Sequence, residues 1–201
     1  MMRTILPHQE NPALREKAQD IPLAEIGSER IRTLVTEMKE LLSKEEYGVA
    51  LAAPQLGEPL RLFVVSGRAL ARDNRNTLNL PAPAGEPGMD EESTASPPPG
   101  EVYINPELLR LSRKKTGKHE GCLSIRGKWG VVPRAEKATI RARDERGHPF
   151  TRGASGFLAH ILQHEMDHLE GILYIDKATE LYLDDAGETG RLPASDSPQS
   201  Q

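Results

Sequence analysis

The chain has 201 residues, 37% of them hydrophobic, which is enough for one domain with a real core. A formal net charge of −4 excludes a global basic field that would draw the protein onto nucleic acid or anionic lipid. There is no run of 18 apolar residues to cross a membrane, and the single cysteine, Cys122, excludes an intramolecular disulfide and points to a reducing, cytoplasmic setting.

Residues 1–9 lack the charged, apolar, small-residue order of a secretory signal, and none is expected. Residues 12–18 can form a short helix. A stronger helix follows, with Ser28 suited to cap it and Ile31, Leu34, Val35, Met38, Leu41 and Leu42 at helical spacing. Residues 48–57 are small, apolar and uncharged, with one amide, Gln55. Taken alone, this stretch reads as a tight turn into a core strand with Gln55 at the surface. Its small residues would also let a ligand or another backbone come close.

Residues 61–66 read as a strand. The composition then shifts: residues 67–100 hold Pro81, Pro83, Pro87, Pro97, Pro98 and Pro99, with Gly, Ser and acids between them. That segment offers too little apolar surface to fold alone and reads as a long excursion. Residues 101–105 resume as a strand. After a polar, basic turn, residues 120–125 form another. Residues 138–143 alternate apolar and polar as a half-exposed strand does. Residues 144–147 form a turn, and 148–151 begin the return strand of a hairpin. The expected organisation is one domain over residues 1–176, with an insertion at about 67–100 and a polar, flexible tail over 177–201.

The helix expected between Ser155, a suitable N-cap, and Gly171, a suitable left-handed C-terminal stop, carries the chemistry. Phe157, Ile161, His164 and His168 form one stripe, so the helix is apolar on the face that bears both histidines. His164-Glu165-Met166-Asp167-His168 is His-Glu-x-x-His. Residues four apart on a helix point the same way, so both imidazoles can share one metal ion. Glu165, about 100° round the helix from His164, reaches a water at the ion without binding the ion.

A metal held by two histidines needs a third protein ligand and keeps a position for water. The candidates are Cys122, Glu170 and His160, and spacing does not exclude His160, which stands four before His164. Cys122 is the stronger candidate, because a thiolate is the strongest soft ligand on offer. It also sits in a tight Gly-Cys-Leu-Ser segment that can expose both the sulfur and the next backbone N–H.

Three stretches taken together resemble the peptide deformylase family. They are Gly48-Val49-Ala50-Leu51-Ala52-Ala53-Pro54-Gln55, Glu120-Gly121-Cys122-Leu123-Ser124 and Gln163-His164-Glu165-Met166-Asp167-His168, in the family's order. The second and third match its motifs residue for residue. The first departs once, with Ala50 where the family usually has glycine. The resemblance covers residues 5–176 apart from the excursion.

It implies an α+β fold, with antiparallel sheets wrapped around a central buried helix that carries His-Glu-x-x-His. It implies removal of the formyl group from N-terminal formylmethionine of nascent peptides, with release of formate. Cys122, His164 and His168 would be the ligands of one divalent ion, usually Fe²⁺, with Zn²⁺, Ni²⁺ or Co²⁺ also found. Glu165 would be the general base and later the acid, and Gln55 with the Leu123 N–H would hold the oxyanion. Phe157, Ile161 and Val49 would line a methionine pocket, and backbone at Gly48, Val49 and Ala50 would meet the substrate. Some relatives contact the ribosome through a basic C-terminal helix, whereas residues 183–188 here are acidic and contain glycine. Two other readings use the same residues: a general metallopeptidase, disfavoured by the cysteine, and a deformylase-like protein that keeps an ion without catalysis.

Overall fold

The Ser28 hydroxyl accepts from the Ile31 N–H at 3.3 Å and starts α1 (Glu29–Lys44), whose Ile31, Leu34, Val35, Met38 and Leu42 are buried as one stripe. The computed structural model, which describes residues 3–77, 99–185 and 188–192, continues with β1 (Ala50–Ala52), a 3-10 turn at Ala53–Leu56, and β2 (Leu62–Val65). Gly48, at the entry to β1, is required for clearance: a Cβ there would lie 2.8 Å from the Glu45 Cβ and 2.9 Å from Leu42 Cδ1.

After α2 (Gly67–Thr77) come β3 (Glu101–Leu111), β4 (Lys115–Cys122), β5 (Ile125–Ala135), β6 (Lys137–Arg143) and β7 (Pro149–Ser155). The hairpin expected here is present. Its turn is set by the Asp144 carboxylate, which accepts from the Arg146 and His148 N–H groups at 2.9 and 2.8 Å. α3 (Gly156–Leu169), α4 (Tyr174–Lys177), β8 (Glu180–Asp185) and β9 (Glu188–Leu192) complete the described chain.

Two antiparallel sheets result, one in the order β1-β2-β3-β6-β7 and one in the order β4-β5-β8-β9. α3 is the core helix: Leu158, Ile161, Leu162 and Leu169 pack with Ala52, Phe63, Tyr103 and Ile140 of the larger sheet. The fold is the α+β class expected, with antiparallel sheets about a buried helix. Gly171 ends that helix region at φ +73°, and a Cβ there would sit 2.9 Å from the Arg15 carbonyl carbon. Ser155 is the N-cap residue, but its side chain makes no capping hydrogen bond.

Three boundaries differ from the sequence reading. The excursion does not begin at Gly67, because residues 67–77 are helical and Ala69 and Leu70 are buried in the core. Its proline-rich part, residues 78–98, lies outside the described residues. The polar stretch before Glu120 is largely strand: β3 runs to Leu111 and β4 starts at Lys115. Its polarity reflects exposure on an antiparallel ladder, not a turn. The chain after Lys177 is not simply a tail either, since β8 pairs with β5 and Leu181 packs on the cluster of Leu14, Ile125 and Val132. Residues 193–201 lie outside the described residues.

Candidate metal centre

The chain reverses between β4 and β5 through only Leu123 and Ser124, with Cys122 opposite Ile125. That reversal holds the Cys122 thiol against α3. His164 and His168 stand one turn apart on the helix, their rings 4.8 Å between centroids and nearly perpendicular at 89°. One ligand atom from each of Cys122, His164 and His168 falls within a common 4.8 Å, and Cys122 Sγ lies 3.4 Å from His168 Nε2. Gln163 locks the helix in this rotation. Its amide accepts from the Ala135 N–H at 3.0 Å and donates to the Ala135 and Ala159 carbonyls at 2.9 and 2.8 Å.

Of the three candidate third ligands, only Cys122 joins the pair. His160 points its Nε2 at the Glu120 carboxylate, and Glu170 is held by Arg61 at 2.7 Å and Lys17 at 3.2 Å. The donor set suits a divalent ion: one soft thiol and two imidazoles. Here two buried atoms, Glu165 Oε2 and His168 Nδ1, have no hydrogen-bond partner among the described residues. An uncompensated carboxylate oxygen beside such a cluster is costly unless a water or an ion's shell completes it.

Glu120 is the residue the sequence reading quoted but gave no role. It is buried, and its Oε2 accepts from or faces His164 Nδ1 at 2.8 Å, which leaves Nε2 of that ring for an ion. Arg134 grips both Glu120 oxygens, at 2.7 and 3.0 Å, and also reaches Asp167, which Lys177 meets at 2.6 Å. A carboxylate two residues before the candidate cysteine ligand was the available signal. What it contacts depends on β5 and α3 arriving beside it.

The charges follow from these contacts. Burial alone would raise the Glu120 pKa, but hydrogen bonds from Arg134, His160 and His164 outweigh it and hold the group well below the carboxylate range. Burial would lower His164, yet contacts with Cys122 and Glu120 raise it well above its ordinary value. At His168 burial prevails, reinforced by His164 and Arg134, and the ring is held neutral. Burial pushes the Glu165 carboxyl up to about 7, with His164 opposing. That is the range in which one carboxyl can both take and return a proton.

Gln55 is not at the surface, as the local reading had it, but 2% exposed inside the site. The Ala52 N–H donates to its Oε1 at 2.8 Å, which orients the amide. Its Nε2 then faces Cys122 Sγ at 3.5 Å and Ser124 Oγ at 3.3 Å. Leu123 sits at the β4–β5 reversal, beside the thiol.

Val49 and Phe157 pack against the cluster that contains Ile161 and Ala50, so these four candidate substrate-binding residues are brought into one cluster. The Arg72 guanidinium lies 4.5 Å over the Phe157 ring. The Val49 carbonyl is already taken by the Ser66 N–H at 2.8 Å. β1 is an edge strand of its sheet, where an extended peptide can add.

Comparison with known proteins points to one family. The family model described as polypeptide deformylase matches residues 2–183. A chloroplastic peptide deformylase 1A of Solanum lycopersicum is 40% identical over 83% of the chain, and the chain spans only 56% of that relative's length. A peptide deformylase of Leptospira biflexa is 36% identical over 90% of the chain and 93% of the relative. Among solved structures, a class I type b peptide deformylase from Acinetobacter baumannii with Met-Ala-Ser bound superposes with a TM-score of 0.69 at 26% identity, covering 88% of this chain and 99% of that one.

Proposed function

The chain belongs to the polypeptide deformylase family, and from that membership we propose that it hydrolyses the formyl group from N-terminal formylmethionine of nascent peptides. The observation that carries the proposal is the Cys122, His164 and His168 cluster with a buried, unpartnered Glu165 oxygen beside it and the Gln55 amide nitrogen facing the same thiol. The Met-Ala-Ser bound to the Acinetobacter baumannii relative supports the same substrate class.

Cys122, His164 and His168 would hold one divalent ion, Fe²⁺ first and Zn²⁺, Ni²⁺ or Co²⁺ as alternatives. Such an ion supplies Lewis acidity that makes water nucleophilic near neutral pH. The protein's own part is proton and charge handling. Glu165 takes the proton of the attacking water. As the formyl carbon becomes tetrahedral, the Gln55 amide and the Leu123 N–H donate to its oxygen. Glu165 then returns the proton to the leaving nitrogen, the carbon–nitrogen bond breaks, and formate and a free amine depart. Val49, Phe157 and Ile161 would receive the methionine side chain, and a cramped β1 edge would favour a formyl carbon, which bears only hydrogen. A reducing cytoplasm suits the thiol, and transient contact with the ribosome would bring the substrate.

Formate release from a formyl-Met-Ala-Ser peptide, assayed on the same anaerobically purified sample used for metal analysis, tests this. Stoichiometric metal with no formate would leave the ion-binding, non-catalytic reading. Cleavage of unformylated peptides would favour a general metallopeptidase.

Ala50 separates two accounts of the family glycine. Asn105 is the one non-glycine residue at positive φ among those described, so Ala50 is unstrained extended chain, paired with Val65 and 6% exposed. Ala50→Gly is therefore expected to lower the melting temperature, by the equivalent of about 0.5–1 kcal/mol for glycine in a strand. It should also raise kcat/KM on formyl-Met peptides by opening the edge. A higher melting temperature would show that alanine was strained after all.

A further inference from the structure

We propose that a basic trough, running from the outer end of β3 across the start of β6 to the first turn of α3, binds the phosphate backbone of RNA. Two depressions form it. One of about 660 Å³ is lined by Arg110, Ser112, Arg113, Lys137 and Thr139. The other, about 250 Å³, lies between Thr116, Lys118, Lys137 and Ser155. Lys137 belongs to both.

Charge is segregated here. Arg110, Arg113, Lys114, Lys115 and Lys118 stand within residues 110–118 with no acid among them, in a chain of net charge −4. Elsewhere the fold supplies counter-ions: Arg3 meets Glu37 and Glu58, Arg61 meets Glu170, Arg141 meets Glu107 and Lys177 meets Asp167. In the trough it withholds them. Among the described residues, Arg110, Arg113, Lys118 and Lys137, which line it, have no carboxylate within 4.0 Å. Glu136, which borders the second depression, is already taken by Lys114 at 2.9 Å and Thr116 at 2.8 Å.

Four cations in one place with no ion pair of their own repel one another, and a polyanion relieves that repulsion while releasing its own counter-ions. Among the other lining groups are some that commonly meet phosphate oxygens, namely the hydroxyls of Ser112, Thr116, Thr139 and Ser155 and the first turn of α3. The Ser155 hydroxyl is not spent on capping α3. Shape favours RNA over a membrane. The cations lie in a concave, two-lobed channel bridged by one lysine, which suits successive phosphates, whereas a flat bilayer would touch only the rim. Leu111, 41% exposed at the first depression, offers an apolar surface to a base. This inference does not depend on the hydrolytic reading.

The test is fluorescence anisotropy of the full, metal-loaded chain with a labelled single-stranded RNA of ~20 nucleotides. With four phosphate contacts, affinity should fall about 50-fold between ~50 and ~200 mM salt. The triple variant Arg110→Gln, Arg113→Gln, Lys137→Gln should bind about tenfold more weakly or worse at the lower salt and lose only about threefold across that range. Its deformylase rate should be unchanged. Arg110→Lys with Arg113→Lys should bind like the parent, as should Arg32→Gln with Arg146→Gln, which are exposed elsewhere. Absence of salt-dependent RNA binding, or an equal loss in the triple and the remote variants, would overturn the proposal. So would binding to phosphatidylserine vesicles, lost in the triple variant, without RNA binding.

Discussion

Glu165→Gln is expected to abolish nearly all turnover while leaving the metal content unchanged. Glutamine has the shape of glutamate, and Glu165 is not among the clustered ligand groups, which are Cys122, His164 and His168. The substitution therefore removes only the proton acceptor. Glu165 is 4% exposed with one oxygen unpartnered, and burial raises its carboxyl to about 7. No other carboxylate among the described residues is free to replace it at the cluster: Glu120 is bound by Arg134, His160 and His164. General acid–base groups are typically worth about 10²–10⁴ in rate, and the loss should reach the upper end because one residue serves both proton transfers. Metal analysis and kcat on the same sample check this. Activity within a few-fold of the parent would remove Glu165 from the mechanism.

Cys122→Ala is expected to empty the site, and His160→Ala to leave it filled. Removing the thiol leaves two imidazoles, and two ligands do not hold a catalytic ion at useful affinity. Gln55 would keep its Ser124 contact at 3.3 Å, so the pocket around the missing sulfur should stay folded. His160 acts one step further out. Its Nε2 faces Glu120, which Arg134 still grips through both oxygens when His160 is gone. Residues that orient a ligand from behind typically cost about 10–100-fold in metal affinity, so His160→Ala should still load at stoichiometric metal. The reverse pattern, with His160→Ala empty and Cys122→Ala full, would reassign the third ligand. Metal content, read with the melting temperature, separates loss of the ion from loss of the fold.

Much of the candidate site was legible before any fold was known, because its parts are set by local geometry. Four-residue spacing on a helix places His164 above His168 whatever surrounds them. Ser28 and Gly171 mark helix ends through one hydrogen bond and one left-handed residue. Asp144 closes its hairpin with bonds to its own neighbours. Ligand chemistry favoured Cys122 as the third donor, and the match of three ordered motifs to one family supported it and added Gln55, which no spacing rule links to α3.

What only the tertiary structure decided are the contacts between elements distant in the chain. Gln55 looked like a surface amide because its neighbours are small and uncharged. It is buried because the 3-10 turn at Ala53–Leu56 packs beside the β4–β5 reversal. Glu120 holds His164 only because β4 crosses α3 there, and Arg134 reaches it from β5. Residues 106–119 and 177–185 were misread because polarity records exposure, and an exposed antiparallel strand is as polar as a loop. Net charge, likewise, is a sum that carries no positions. The value of −4 was correct for the chain, and it took β3, β4 and β6 side by side to gather Arg110, Arg113, Lys118 and Lys137 into one trough.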